Sequence, residues 1–173
     1  AHVGHAGTVL TGLEELLLYR SNPLLGRVDG SLGCLHRLVV VALLRLLADL
    51  YPLPDKLLYL DADVMACKDI GLLYDQDVSE VEYAAARDHY GHFLVNPNYI
   101  NAGVLLFNMK RCRETGIFEK ARSLIRVKKL TFADQSALIR STTKCKVLRH
   151  WFNDQKFLYK KTVIRHFSKR LFY

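Results

Sequence analysis

Asp61 and Asp63 stand on either side of Ala62, directly after the apolar run Lys56-Leu57-Leu58-Tyr59-Leu60. Two carboxylates one residue apart at the end of a strand can turn toward one hard cation. An exposed acidic turn is the alternative. The apolar residues around the pair, Leu57 to Leu60 and Val64-Met65-Ala66, predict that it is enclosed. Desolvating two like charges together is costly without a partner, so the pattern favours a metal over a plain turn.

Three further strings carry polar groups beside apolar runs. Tyr99-Ile100-Asn101-Ala102-Gly103-Val104-Leu105-Leu106-Phe107-Asn108-Met109 places an Asn and a Gly just before a strand-like stretch. Packing alone accounts for them if Gly103 admits a close backbone and Asn101 caps a turn. Asp134-Gln135-Ser136-Ala137-Leu138 puts a polar pair at a helix start, where Asp134 suits an N-cap. In Val163-Ile164-Arg165-His166-Phe167 a lone His sits in a β-like run, where such a residue is usually structural.

The acid pair alone does not choose an enzyme class. Asp61-Ala62-Asp63-Val64 after an apolar strand also fits the haloacid-dehalogenase phosphatases, whose first Asp is a nucleophile beside Mg²⁺. Those enzymes complete their magnesium site with a late acidic pair. Residues 110–173 hold only Glu114, Glu119, Asp134 and Asp154, none adjacent, so that reading lacks its second half.

The elements that must position these groups read as α/β. The chain has 173 residues, 50% hydrophobic and 24% charged, which is room for one domain with a real core. That composition excludes disordered, collagen-like and disulfide-scaffold classes. Strands are predicted at Lys56–Leu60, Tyr83–Arg87, Gly103–Phe107, Lys146–Leu148 and Thr162–Phe167. Helices are predicted from His36 to Leu50, ending before Pro52-Leu53-Pro54, from Lys110 to Val127, and from about Asp134. Leu10 to Tyr19 suits a further helix and Leu25 to Gly33 a loop, although residues 1–30 are the hardest to assign and show no legible strand. Apolar runs alternating with helices indicate a mainly parallel central sheet flanked by helices. Ligands in such sheets sit outside the carboxyl ends of strands, where Asp61 and Asp63 fall.

Charge is divided unevenly. Residues 1–109 carry a net −6 and residues 110–173 a net +14, within a total of +8. The acidic part suits a cation and the basic part an anion or an anionic surface. Cys34, Cys67, Cys112 and Cys145 stand apart, with no Cys-x-x-Cys pair, and read as reduced core thiols rather than zinc ligands. The longest apolar run, Leu38 to Leu50, is broken by Arg45 and Asp49, so no membrane span is expected. No basic segment followed by an apolar stretch opens the chain, so no secretory signal is expected either.

Taken in order, the four strings resemble glycosyltransferase family 8, the retaining transferases that include glycogenin and bacterial lipopolysaccharide galactosyl- and glucosyltransferases. Tyr59–Asp63 is similar to the family's Tyr-Leu-Asp-x-Asp strand end, and Asn101–Leu105 to its Asn-x-Gly-Val-Leu strand. Asp134-Gln135 resembles its Asp-Gln helix start and His166-Phe167 its late His-aromatic pair. Ser31 to Leu38 resembles the helix that carries a donor-binding Arg, here Arg37, and Trp151-Phe152-Asn153 the Phe-Asn element before the last strand. The resemblance covers about residues 31–167. Members usually open with a strand and a Tyr-containing loop that hold uridine, and close with Gly-x-x-Lys-Pro-Trp. Neither is legible here, so residues 1–173 read as one partial domain, truncated at both ends.

The resemblance implies a GT-A-like nucleotide-diphospho-sugar transferase fold, and metal-dependent transfer of a hexose with retention. The donor would be a UDP-sugar, and the acceptor a saccharide or a lipid-linked, protein-linked or lipopolysaccharide-type glycan. It implies Asp61, Asp63 and His166 as metal ligands, a mixed oxygen and nitrogen set that suits Mn²⁺ (or Mg²⁺) better than Ca²⁺. Arg37, Asp61, Ala62, Asp63, Asp88, Asn101, Ala102 and Gly103 would contact the donor, with Asp134 and Gln135 at the reacting sugar. An amide is a poor nucleophile, so Gln135 favours front-side departure and attack over double displacement. An inactive remnant serving as an interaction module is the alternative. A nucleic-acid binder ranks last, because the basic half lacks stacking motifs. The location implied is the cytoplasm, with the basic half resting on the anionic inner membrane surface.

Overall fold

The computed structural model describes residues 8–10, 45–127 and 133–167. The described strands are β1 (Thr8–Leu10), β2 (Lys56–Leu60), β3 (Val64–Ala66), β4 (Tyr83–Arg87), β5 (Ile100–Asn108), β6 (Cys145–Leu148) and β7 (Ile164–His166). The α-helices are α1 (Gly71–Tyr74), α2 (Gly91–Leu94), α3 (Met109–Thr115), α4 (Ile117–Val127) and α5 (Ala133–Ser141), with 3₁₀ turns at Arg45–Leu50 and His150–Phe152. Five strands form a central sheet in the order β1-β2-β5-β4-β6, and β3 pairs with β7 in a separate ribbon.

The middle strands bury both faces. On one face Leu57, Tyr59, Tyr83, Ala85, Leu105 and Phe107 pack under Met109, Cys112, Ile117, Phe118, Ala121 and Leu138 from α3, α4 and α5. On the other, Leu58, Leu60, Ala84, Ala86, Val104 and Leu106 meet Leu73, Val78, Val81, Leu148, Phe152 and Ile164. Full burial of each large apolar side chain contributes about 1.5–3 kcal/mol. The polar groups at the strand ends therefore rest on a stiff platform.

Strand direction departs from expectation. The β1–β2 and β4–β6 pairs are parallel, but β5 runs antiparallel to both β2 and β4. The α/β architecture is present with an evenly mixed sheet rather than a mainly parallel one. A strand covered on both faces reads as an unbroken apolar run whichever way it points, so the run at residues 103–107 carries no direction.

Smaller differences have local causes. The helix expected over Lys110–Val127 is two helices, parted at Gly116, whose φ of 63° is the left-handed turn that ends α3. Leu10, expected to open a helix, instead ends β1, which pairs with Leu57 to Tyr59. Three residues are too few to show a strand period, so this first strand was illegible. The rest of the Leu10–Tyr19 helix, the loop at Leu25–Gly33, Cys34, Arg37 and residues 36–44 of the predicted helix lie outside the described residues. The described end of that helix, Arg45–Leu50, is a 3₁₀ turn.

Cys67, Cys112 and Cys145 are free thiols. Cys112 is buried with Sγ 3.1 Å from Glu82 O, and burial pushes its thiol far above the ordinary range. Cys67 corrects the expectation of a core thiol, because it is exposed just after β3. Among the described residues no helix is long and apolar enough to cross a membrane.

Candidate active site

The carboxyl end of β2 delivers Asp61, whose N–H donates to Gly103 O at 2.8 Å. The chain then turns into β3, and the β3–β7 ribbon sets Val64 opposite His166. Phe167 N–H closes the joint by donating to Asp63 O at 2.9 Å. This ribbon carries a distant His to the acid pair. His166 Nε2 lies 3.2 Å from Asp63 Oδ1 and 3.9 Å from Asp61 Oδ2. One ligand atom from each of the three lies within 4.8 Å of the others. His166 is buried, whereas Asp61 and Asp63 are half-buried and Ala62 is exposed. The expected enclosure is therefore incomplete: Met65 is 45% exposed, and among the described residues β3 pairs with β7 alone.

The two oxygens of Asp61 do different work. Oδ1 accepts from Tyr59 OH at 2.7 Å and from Arg45 at 3.1 Å, while Oδ2 faces His166. Arg45 is buried, ion-paired with Asp134 Oδ2 at 3.2 Å, and donates to Ala102 O. Its guanidinium carbon sits 4.6 Å from the centre of the Tyr59 ring. Arg37 lies outside the described residues, and Arg45 is a cation at this site that the sequence motifs do not single out. The signal was present: a charge inside the apolar run Leu38 to Leu50 must bury itself, and a buried charge requires partners. Its partners prove to be the two acids already singled out, Asp61 and Asp134.

Asn101-Ala102-Gly103 is the joint to which the other groups fasten. Ala102 N–H donates to Gln135 Oε1 at 3.0 Å, its carbonyl accepts from Arg45, and Gly103 O accepts from Asp61 N–H. Asn101 Nδ2 donates to Asp88 Oδ2 at 2.9 Å, and Asp88 Oδ1 accepts the N–H groups of Tyr90 and Gly91 at 3.0 and 2.7 Å. Gly103 is required by His166: a Cβ there would lie 2.1 Å from the ring Cε1. Asp134 sits in the first turn of α5, where it pairs with Arg45. Of the residues singled out, Asp61, Ala62, Asp63, Asp88, Asn101, Ala102, Gly103, Asp134, Gln135 and His166 thus gather around the carboxyl end of β2 and the start of β5.

Two carboxylate oxygens and an imidazole nitrogen converging in this way fit a divalent first-row ion or Mg²⁺, with positions left over for ligand oxygens. A mixed sheet carrying such a cluster at a strand end is the GT-A-type glycosyltransferase fold, and solved enzymes of that type share it. The glycosyltransferase GlyE of Streptococcus pneumoniae TIGR4 is 27% identical, with a TM-score of 0.63, over 73% of this chain and 37% of its own. The galactosyltransferase LgtC, solved with donor and acceptor sugar analogues, is 20% identical over 76% of this chain and 59% of its own, with a TM-score of 0.61. A glycosyltransferase involved in glycosylation of the major capsid of PBCV-1 is 16% identical, with a TM-score of 0.50 over 93% of this chain and 94% of its own. The latter two show likeness of fold. No curated protein matches the chain in sequence.

The sequence profile of glycosyl transferase family 8 matches residues 36–170, and the chain belongs to that family. It spans little more than a third of the length of GlyE. Family membership overturns the haloacid-dehalogenase alternative.

Proposed function

We propose that the chain is the partial catalytic domain of a metal-dependent, retaining hexosyltransferase that takes a UDP-sugar. The observation that carries this reading is the convergence of Asp61, Asp63 and His166 at the end of β2 in a family 8 chain. Mn²⁺ (or Mg²⁺) held by these three would offset the charge that develops on the departing diphosphate. Arg45 joins Arg37 as a candidate for the donor-facing role, as a planar cation already fixed beside Asp61 and suited to phosphate oxygens. Asn101, Ala102, Gly103, Asp88 and Ala62 border the same site and contact the donor, with Asp134 oriented toward the sugar by Arg45.

Retention by double displacement needs a nucleophile on the face of the sugar opposite the leaving group. Gln135 already accepts a backbone N–H with its carboxamide oxygen, and Asp134 is ion-paired with Arg45. Both facts support departure and attack on one face. The acceptor is a saccharide or a lipid-linked, protein-linked or lipopolysaccharide-type glycan. Nucleic acid is not a partner.

Calorimetric titration tests the reading. UDP should bind only with Mn²⁺ present, and Asp63→Asn should remove that Mn²⁺-dependent binding. A folded chain that binds neither Mn²⁺ nor UDP would instead be a remnant acting as an interaction module. We further propose a cytoplasmic location with peripheral contact on an anionic membrane. Its support is the exposed Phe157-Leu158-Tyr159 tip, flanked by Lys156 and Lys160-Lys161. Flotation with anionic vesicles that weakens as salt rises is the expected result. Flotation indifferent to salt and lipid charge removes the membrane contact.

A further inference from the structure

Behind His166 runs a chain of side chains whose donors and acceptors can be assigned without choice. Gly103 N–H lies 3.0 Å from one terminal atom of Asn101, and a backbone N–H only donates, so that atom is the amide oxygen. The other terminal atom, 2.9 Å from Asp88 Oδ2, is then the nitrogen donating to a carboxylate. Asn153 reaches Asn101 Oδ1 at 2.9 Å and must do so with Nδ2. That turns the Asn153 oxygen toward His166 Nδ1, 3.0 Å away. An oxygen acceptor demands a proton on Nδ1. Asn101, Asn153 and His166 are all buried, so the assignment follows from protein groups alone.

We infer that Asn153 is a positioning residue that fixes His166 as the Nδ1–H tautomer and aims its Nε2 lone pair between Asp61 and Asp63. The inference rests on the metal reading above and adds to it the group that makes the His a ligand. A neutral imidazole has one N–H and one acceptor nitrogen. The opposite tautomer would set two lone pairs against each other at Nδ1 and place a proton where the ion must coordinate.

The backbone holds the geometry. Asn153 N–H donates to His150 O at 2.9 Å at the end of the 3₁₀ turn. Asp154 N–H donates to Ile164 O and His166 N–H to Asp154 O, each at 2.9 Å, which locks Asn153 and His166 at one spacing. Partners of this kind fix the tautomer and orientation of a ligating His, and losing one costs about 10–100-fold in metal affinity.

Two measurements decide the matter. In the metal-free wild-type chain, ¹⁵N spectra of the neutral form of His166 should show a protonated Nδ1 and a bare Nε2. A neutral Nε2–H ring would overturn the inference, whether or not the chain binds a metal. The second is MnCl₂ affinity across two variants. Asn153→Ala should weaken it about 10–100-fold. Asn153→Asp keeps the acceptor toward His166 and loses the donor toward Asn101, so it should bind Mn²⁺ more tightly than Asn153→Ala. If Asn153 served only to tie Asn101, the Asp variant would bind no better than the Ala variant, and the inference would fail. A wild-type chain that ignores Mn²⁺ would sink the metal reading, while the tautomer spectrum still decides this one.

Discussion

Glu82 and the Asp61–Asp63 pair lie beyond opposite strand ends of the same sheet, and their carboxylates are treated in opposite ways. Glu82 precedes β4 and is fully buried. Its Oε2 accepts from Thr142 Oγ1 and from the N–H groups of Thr143 and Lys144 at 2.8 and 3.0 Å, and its Oε1 from Thr143 Oγ1 at 2.9 Å. Desolvation pushes its pKa up, yet the hydrogen bonds from Lys144, Thr142 and Thr143 outweigh it and leave the group below the ordinary value. At the other end, Asp61 keeps one oxygen for Tyr59 and Arg45 and turns the second toward Asp63 and His166. A buried carboxylate saturated with protein donors holds the fold together. Carboxylates gathered with an imidazole within 4.8 Å of one another form instead a set of ligands that suits a cation.

The largest break in this comparison comes from Asp63→Asn. It removes one ligand charge at constant volume, and Mn²⁺ affinity should fall by more than about a hundredfold, beyond the loss typical of an outer-shell partner. Thermal stability should stay within about 0.5 kcal/mol of wild type, as for other partly exposed substitutions. Unchanged Mn²⁺ binding would erase the distinction between the two ends.

Glu82→Gln should behave in the opposite way. One of its four donors would meet an NH₂ group, costing about 2–3 kcal/mol, or roughly 4–12 °C in melting temperature for a chain of this size. Mn²⁺ affinity should not change. The pH dependence follows from the lowered folded-state value. The stabilisation by Glu82 is present in full above the ordinary carboxylate pKa and is lost as pH falls through the lower folded one. Melting curves of wild type should therefore drop on acidification, and those of Glu82→Gln should drop less.

Gly103→Ala attacks the active end through shape alone. A Cβ 2.1 Å from His166 Cε1 cannot coexist with the present ring position. Overpacking of this kind costs about 1–3 kcal/mol, and the displaced ring should weaken Mn²⁺ binding about tenfold, at the lower end for a lost orienting contact. Equal Mn²⁺ affinity in a stable variant would show that His166 does not need its present place.

How much of this was legible follows from what each residue does locally. The runs at 56–60, 83–87 and 103–107 announce strands because both faces are apolar, and the same fact conceals their direction. Asp61 and Asp63 stood out because charge abruptly follows an apolar strand. Gly103 and Asn101 were visible as types, but their reasons lie on elements distant in sequence: the ring of His166 and the amide of Asn153. Arg45 was read only as an interruption of an apolar run, since nothing nearby names Asp61 and Asp134 as its partners. Periodicity encodes burial. Pairings across the fold leave only the unexplained polar residue as a trace.

The smallest effect is expected from Tyr59→Phe, which sharpens the division of labour within Asp61. The ring stays, so its contact with the Arg45 guanidinium at 4.6 Å and its packing in the core are retained. Only the O–H that donates to Asp61 Oδ1 at 2.7 Å is lost, and Arg45 still holds the same oxygen. Two consequences oppose each other. The carboxylate loses a restraint on its rotation, which loosens Oδ2 relative to Asp63 and His166. It also loses a donor that draws charge from it, which makes Oδ2 a stronger ligand. With one hydrogen bond worth about 1 kcal/mol net, the variant should bind Mn²⁺ within about fivefold of wild type, on the weaker side, and melt within a few degrees of it. A loss as large as that of Asp63→Asn would mean that Oδ1, not Oδ2, meets the ion, and the two oxygens of Asp61 would have to exchange roles.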